Sequence, residues 1–188
     1  MQQSPTTCGS ACLTVARMLA NPPLAEWIVH GDADTNRSHS ADQRFAAYEQ
    51  VVAQRTNALV GPGGHLQPPW PRALGTPPWG ARHEIEAGAS RPGTCYAIRW
   101  VRLSGIRALG RAYDHLHGEV GDRRPALLYV GNAWLPRHVV LVLRGTVEDF
   151  AVYEPSIGRV VAVRREAFLT RRLALAGWDV PWCLVWPR

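Results

Sequence analysis

The chain has no lysine. All 21 of its basic residues are arginine, set against 15 Asp and Glu, for a net charge of +6 over 188 residues. An arginine-only set among abundant Ala, Gly and Pro reflects a GC-rich coding sequence. The arginines are scattered rather than massed on one helix or loop, which argues against a nucleic-acid interface. No stretch approaches the roughly 18 uninterrupted apolar residues of a bilayer span, so no membrane segment is expected. A charged leader followed by an apolar core and a small-residue cleavage site is also missing. On that ground the chain reads as cytoplasmic, or as a domain cut from a larger protein. Cys8, Cys12, Cys95 and Cys183 are too few and too spread for a disulfide scaffold. Cys8 and Cys12 lie four apart without a matching second pair and make no zinc site. No metal or other cofactor is implied.

What is present is a soluble, globular composition: 46% apolar and 19% charged residues. The length suits one domain with a sizeable core, taken as residues 1–188. The chemistry concentrates near the start, in Gln2-Gln3-Ser4-Pro5-Thr6-Thr7-Cys8-Gly9-Ser10-Ala11-Cys12-Leu13. A cysteine before Gly and small residues, then an apolar run, reads as a loop entering a helix. At a helix start the unpaired N–H groups and the macrodipole favour an anion, which suits a thiolate. Gly9 lets a backbone or a substrate approach closely. Gln2 can offer its amide N–H where an oxyanion would form. Taken alone, this stretch leaves two readings open, a nucleophile or a buried helical cysteine.

Helical spacing runs from Ala11 to Ala20, with Cys12, Leu13, Ala16 and Leu19 facing the core, and Asn21-Pro22-Pro23 ends it. Leu24–His30 reads as a second helix and Gly31 to Asp42 as an exposed loop. His30, Asp32, Asp34 and His39 fit no metal-ligand spacing and read as solvated. Gln43–Thr56 returns to helical period with Phe45, Tyr48, Val51 and Val52 buried. Leu59–Trp79 is stiff, Pro/Gly/Trp-rich coil. Thr76 before Pro77 reads as an N-cap for a helix to about Ala87. Thr94–Val101 is a strand. Ser104 caps a helix from Gly105 to Glu119 with Ile106, Leu109, Tyr113 and Leu116 on one face, and His115 and His117 at its surface. Strands follow at Ala126–Val130, His138–Arg144, Phe150–Glu154 and Val160–Val163, then a short helix at Arg165–Arg172. Trp182–Trp186 closes the sheet. Helices first and an antiparallel meander after is an α+β pattern. Cys12, Cys95 and Cys183 are read as core fillers.

Gln2…Cys8-Gly9-Ser10-Ala11 resembles the papain-like cysteine peptidases, above all the bacteriocin-processing branch that cleaves double-glycine leaders. That branch pairs the motif with a distant His opening a strand and with Asp-Pro about sixteen residues on. Here His138-Val139-Val140-Leu141 is followed, sixteen residues after His138, by Glu154-Pro155. The resemblance anchors both ends of the chain and covers the middle loosely. It implies a papain-like α+β fold with Cys8 as nucleophile, His138 as acid and base, Glu154 as orienter and Gln2 as oxyanion donor. It also implies a peptide or protein substrate and a Gly-Thr-Pro-type helix start beside the cleft. Gly9, Trp79 and Trp134 are the candidate substrate-binding residues, and Trp70 with Trp79 would form either a groove wall or a plug between loop and core. Glu154 departs from the usual Asp by one methylene, which lengthens its reach, and Asn132 is the reserve orienter. Peptide hydrolysis is the reading these residues favour. A deamidase or transamidase effector, or a non-catalytic peptide-binding module with a decayed site, would use the same frame.

Overall fold

The structure, a computed structural model, describes residues 7–31, 39–146 and 148–188. Helix α1 (Cys8–Ala20) is followed by α2 (Pro22–His30), with Asn21 as the α2 N-cap and Pro22 at its first position, where a missing N–H is harmless. Helix α3 (Ala41–Asn57) begins with a Ser40/Gln43 capping box. The Pro-rich stretch is irregular apart from short 3-10 turns at Pro62–Gly64 and Arg72–Leu74. It leads into α4 (Pro78–Glu86), then β1 (Tyr96–Trp100) and α5 (Ile106–Glu119). Strands β2 (Ala126–Gly131), β3 (Pro136–Leu143), β4 (Asp149–Glu154) and β5 (Arg159–Arg164) form the meander. Helix α6 (Arg165–Thr170) and β6 (Val180–Pro187) complete the order.

The six strands form one antiparallel sheet in the order β1-β6-β2-β3-β4-β5. The last strand therefore does not close the sheet at an edge, as expected, but fills the slot between β1 and β2. Strand alternation sorts the core into two layers. Leu127, Tyr129, Val139, Leu141, Cys183 and Val185 pack with Cys12, Leu13 and Ala16 of α1 and Ala81 and Ile85 of α4. Leu128, Val140, Val142, Val152 and Leu184 pack on the other side with Leu109, Tyr113 and Leu116 of α5 and Phe168 of α6. The fold is α+β as expected, with helices covering both faces of the sheet rather than one.

Several local expectations give way to tertiary context. Helix α3 buries Arg44, Glu49, Val52 and Thr56, while Val51 is exposed and Phe45 and Tyr48 are half-buried. Arg44 is buried because its guanidinium serves the end of α2, donating to the carbonyls of Ile28 (3.0 Å) and Val29 (2.9 Å). Leu19 and Ile106 face outwards. Gly105, not Ser104, is the α5 N-cap. Cys12 and Cys183 are buried, but Cys95, just ahead of the edge strand β1, is exposed and fills no core. His115 and His117 are not free surface groups. Each is half-buried, with Nε2 against the carbonyl of Pro187 (3.1 Å) and of Thr146 respectively.

Candidate active site

Cys8 is the first residue of α1, with no acidic residue in that turn to compete for its field. Three contacts fix the helix. Cys12 Sγ donates to the Val139 carbonyl at 3.4 Å, tying α1 to β3 one residue from His138. Arg17 Nε donates to the fully buried carboxylate of Glu84 at 2.7 Å, tying α1 to α4. Thr76 packs on the first turn, its Oγ1 3.3 Å from Ser10 Oγ. A Cβ on Gly9 would lie 2.6 Å from Thr76 Cβ, so the room expected at Gly9 for a substrate is taken by Thr76. Thr76 itself is not the helix cap. Pro77 holds that position and α4 starts at Pro78, while the Thr76 carbonyl accepts from Tyr129 Oη on β2 at 3.1 Å. The Gly75-Thr76-Pro77 segment is thus clamped between helix and sheet, beside the candidate nucleophile.

His138 and Glu154 meet at the open end of the sheet. Strands β3 and β4 pair only from Leu141↔Tyr153 to Leu143↔Ala151, so they are unpaired where the two side chains project. A bulge at Arg137 sits beside His138: Val130 pairs with His138 but Gly131 with Pro136. Bulges bend a strand and re-aim neighbouring side chains. Simple alternation from Val139 and Leu141 would send His138 to the α5 face. At this bulged strand end its imidazole instead comes beside the Cys8 thiol at the head of α1, close enough for Cys8 to raise its pKa.

His138 Nε2 lies 2.6 Å from Glu154 Oε1, both side chains buried. That leaves Nδ1 for Cys8. Glu154 Oε1 also accepts from Ser156 N at 3.0 Å and Ser156 Oγ at 2.8 Å. Burial pulls the His138 imidazole down, but hydrogen bonds to Cys8 and Glu154 and their negative charge outweigh it and raise the pKa to about 9. Burial pushes the Glu154 carboxyl up, and the bonds from His138 and Ser156 overcome this to hold it below its ordinary value. The pair therefore rests as imidazolium and carboxylate at neutral pH. Burial drives the Cys12 thiol well above its ordinary value and the Cys183 thiol up likewise.

The structure brings Cys8, His138 and Glu154 together. Gln2 lies outside the described residues, as do Asp32 and Asp34. Asn132, the reserve orienter, has its Oδ1 engaged by the backbone N–H of Trp134 and Leu135, both at 2.8 Å, while Glu154 holds His138 Nε2. Trp79 is half-buried, donates to the Pro68 carbonyl at 3.0 Å and meets Trp70 edge-on at 5.1 Å, so these two rings brace the Pro-rich loop. Trp134 stands exposed in the β2–β3 loop. Ser156 and Thr76 were missed as site residues. The Glu-Pro-Ser turn was legible as a signal, since a serine two residues after a carboxylate can donate back to it. Among the described residues no cluster of three or more His, Cys, Asp or Glu could hold a metal ion, and no helix is long and apolar enough to cross a membrane.

No family model and no curated protein matches the chain. Among solved structures it is similar to the Pseudomonas avirulence protein AvrPphB, over 96% of this chain and 90% of that one, with TM-score 0.50 and 15% identity. It is also similar to the peptidase domain of Streptococcus ComA, a bi-functional ABC transporter involved in a quorum-sensing pathway. That match covers 100% of this chain and 96% of the other, at TM-score 0.43 and 13% identity. The fold is that of the papain-like peptidases.

Proposed function

We propose that this chain is a papain-like thiol hydrolase that cuts peptide bonds with Cys8 as nucleophile. The observation that supports it is the convergence of Cys8, His138 and Glu154 at the head of α1, with His138 Nε2 2.6 Å from Glu154 Oε1 and the imidazole pKa raised by Cys8 and Glu154. With the thiol proton already held on the His138 imidazolium, Cys8 attacks the scissile carbonyl. The tetrahedral oxyanion is met by the N–H of Cys8 and, in this reading, by the Gln2 amide. The imidazolium then protonates the leaving amine, and a thioester remains on Cys8. His138 next takes a proton from water, hydroxide adds to the thioester, and the free acid leaves as the thiol is restored. Glu154 holds the imidazole by Nε2 and stabilises its charge throughout.

The substrate is a peptide or protein segment with small residues ahead of the scissile bond, as in leader processing. Cys8 is only 4% exposed, and Thr76 crowds its helix turn, which favours a slender chain over a branched one. The test is a diverse peptide mixture incubated with the protein and with Cys8→Ala, read by mass spectrometry. New termini after small residues, absent with Cys8→Ala, are expected. Amide side chains converted to carboxylates without a cut would assign deamidation instead, and no Cys8-dependent product would leave a binding module.

A further inference from the structure

The open end of the sheet carries more than the candidate triad. Strands β1 and β2 both run antiparallel to β6, so Trp100 and Gly131 end at the same side of the sheet with β6 between them. His138 at the start of β3 and Glu154 at the end of β4 lie at this side too. From it project Trp100 at the end of β1, Leu103 in the β1–α5 loop, Ile106 at the start of α5, and Trp134 and Leu135 of the β2–β3 loop, all exposed. Leu103 is 90% and Trp134 83% exposed, so both stand out from the surface instead of lining a trough. Such a concentration of large apolar side chains on one end marks a contact surface.

The loops are braced in this pose. Arg102 Nη2 donates to the Ala133 carbonyl at 2.6 Å, clipping one loop to the other. Trp182 Nε1 donates to the Asn132 carbonyl at 2.9 Å, and Arg171 Nη2 to the Ser104 carbonyl at 2.6 Å. The charge is one-sided. Residues 97–107 and 131–138 contain Arg99, Arg102, Arg107 and Arg137 and no Asp or Glu. Asp179, next to this end of β6, accepts from the Ala174 N–H at 3.0 Å and keeps its negative charge, one acid set against these four arginines.

From these observations we infer that this end of the molecule docks on an anionic lipid surface, with Leu103 and Trp134 entering the interface and the exposed Arg99, Arg107 and Arg137 at the headgroups. Indole rings and aliphatic tips beside guanidinium groups are the side-chain set that settles at a membrane–water boundary, with the arginines drawn by anionic lipid. A peptide strand would need a trough, whereas a bilayer covers side chains that protrude. Docking turns the Cys8–His138 end towards the membrane, and it does not depend on the reaction Cys8 carries out.

The test uses the full chain with phosphatidylcholine vesicles and with vesicles that also contain phosphatidylglycerol, read by sedimentation and tryptophan emission. The expected result is binding to the anionic vesicles with a blue-shifted emission, weakened by salt. Leu103→Ser with Trp134→Ser, whose exposed side chains leave the core intact by circular dichroism, should weaken it about tenfold or more. Binding unchanged in that variant would overturn the proposal, since net charge alone would then explain it. Absence of vesicle binding would overturn it too. Self-association lost in the variant, without vesicle binding, would give the surface to a second copy of the chain. Weakened peptide cleavage without vesicle binding would give it to the substrate.

Discussion

His138 Nε2 and Glu154 Oε1 stand 2.6 Å apart although their strands stop pairing at Leu141 and Tyr153. The unpaired gap between β3 and β4 gives the longer glutamate room. The second contact, Ser156 folding back on the same oxygen, keeps the longer arm in place. The extra methylene relative to aspartate is therefore absorbed by the backbone.

Glu154→Gln keeps a hydrogen-bonding group but removes the charge that stabilises the imidazolium. A serine triad loses about four decades on the equivalent neutralisation. A cysteine enzyme already holds a thiolate–imidazolium pair, so a loss of about ten- to a hundredfold in kcat/KM is expected. Glu154→Asp shortens the arm by roughly 1.5 Å and should cost several-fold. Steady-state rates on a Cys8-dependent substrate decide it, and full activity of Glu154→Ala would remove Glu154 from the site.

Ser156→Ala deletes one of three hydrogen bonds to Oε1 and should lower kcat several-fold with KM little changed. Because the carboxylate is then less well held, the alkaline limb of the rate profile should move towards neutral pH. Ser156→Thr, which keeps the hydroxyl, should restore both. A variant that lost stability alone, with the limb in place, would make Ser156 a structural residue only.

Thiol labelling separates the cysteines. In a Cys95→Ser background, which removes the exposed thiol, iodoacetamide at neutral pH should modify Cys8 and spare Cys12 and Cys183 until the chain unfolds. Peptide mapping reads the result. Labelling of Cys12 alongside Cys8 would contradict the burial described above.

The His138 pKa is raised to about 9, and this fixes signs. The pairing contributes stability that is fully present below the unfolded value of about 6.5 and is lost as pH rises through 9, by up to about 3 kcal/mol. Glu154, with its pKa lowered, contributes stability present above 4.5 and lost as pH falls through its folded value. Denaturant unfolding of the parent and of Glu154→Gln at pH 7 and pH 10 should show the difference shrinking at the higher pH. Turnover should fall on the same alkaline limb.

Gly9→Ala brings a Cβ to 2.6 Å from Thr76 Cβ and should destabilise the fold by about 1–3 kcal/mol. Adding Thr76→Gly should recover part of that loss, a coupling that urea denaturation of the two single variants and the double would measure.

Much of this was readable from local chemistry. Cys8 at a loop-to-helix boundary, His138 near a strand start and Glu154 at a strand end each carry short-range signals, and the helix and strand positions follow periodicity. What the sequence withheld is non-local. Arg44 looks like a solvated residue until α2 offers its carbonyls, and Val51 looks like core until the helix turns that side outwards. Thr76-Pro77 has the composition of a cap, yet its carbonyl is taken by Tyr129 and its side chain by α1. No local pattern tells a strand such as Val180–Pro187 that it must enter between two earlier ones.

That insertion has a kinetic side. Until Val180–Pro187 arrives, β1 and β2 have no ladder between them, and the Trp182 carbonyl that receives the N–H groups of Val101 and Arg102 is missing. Strands β1 and β2 therefore wait for a segment about 50 to 90 positions later before their sheet is whole. Closing so long a loop is entropically slow, so a chain still being synthesised would hold its thiol without an assembled partner strand network.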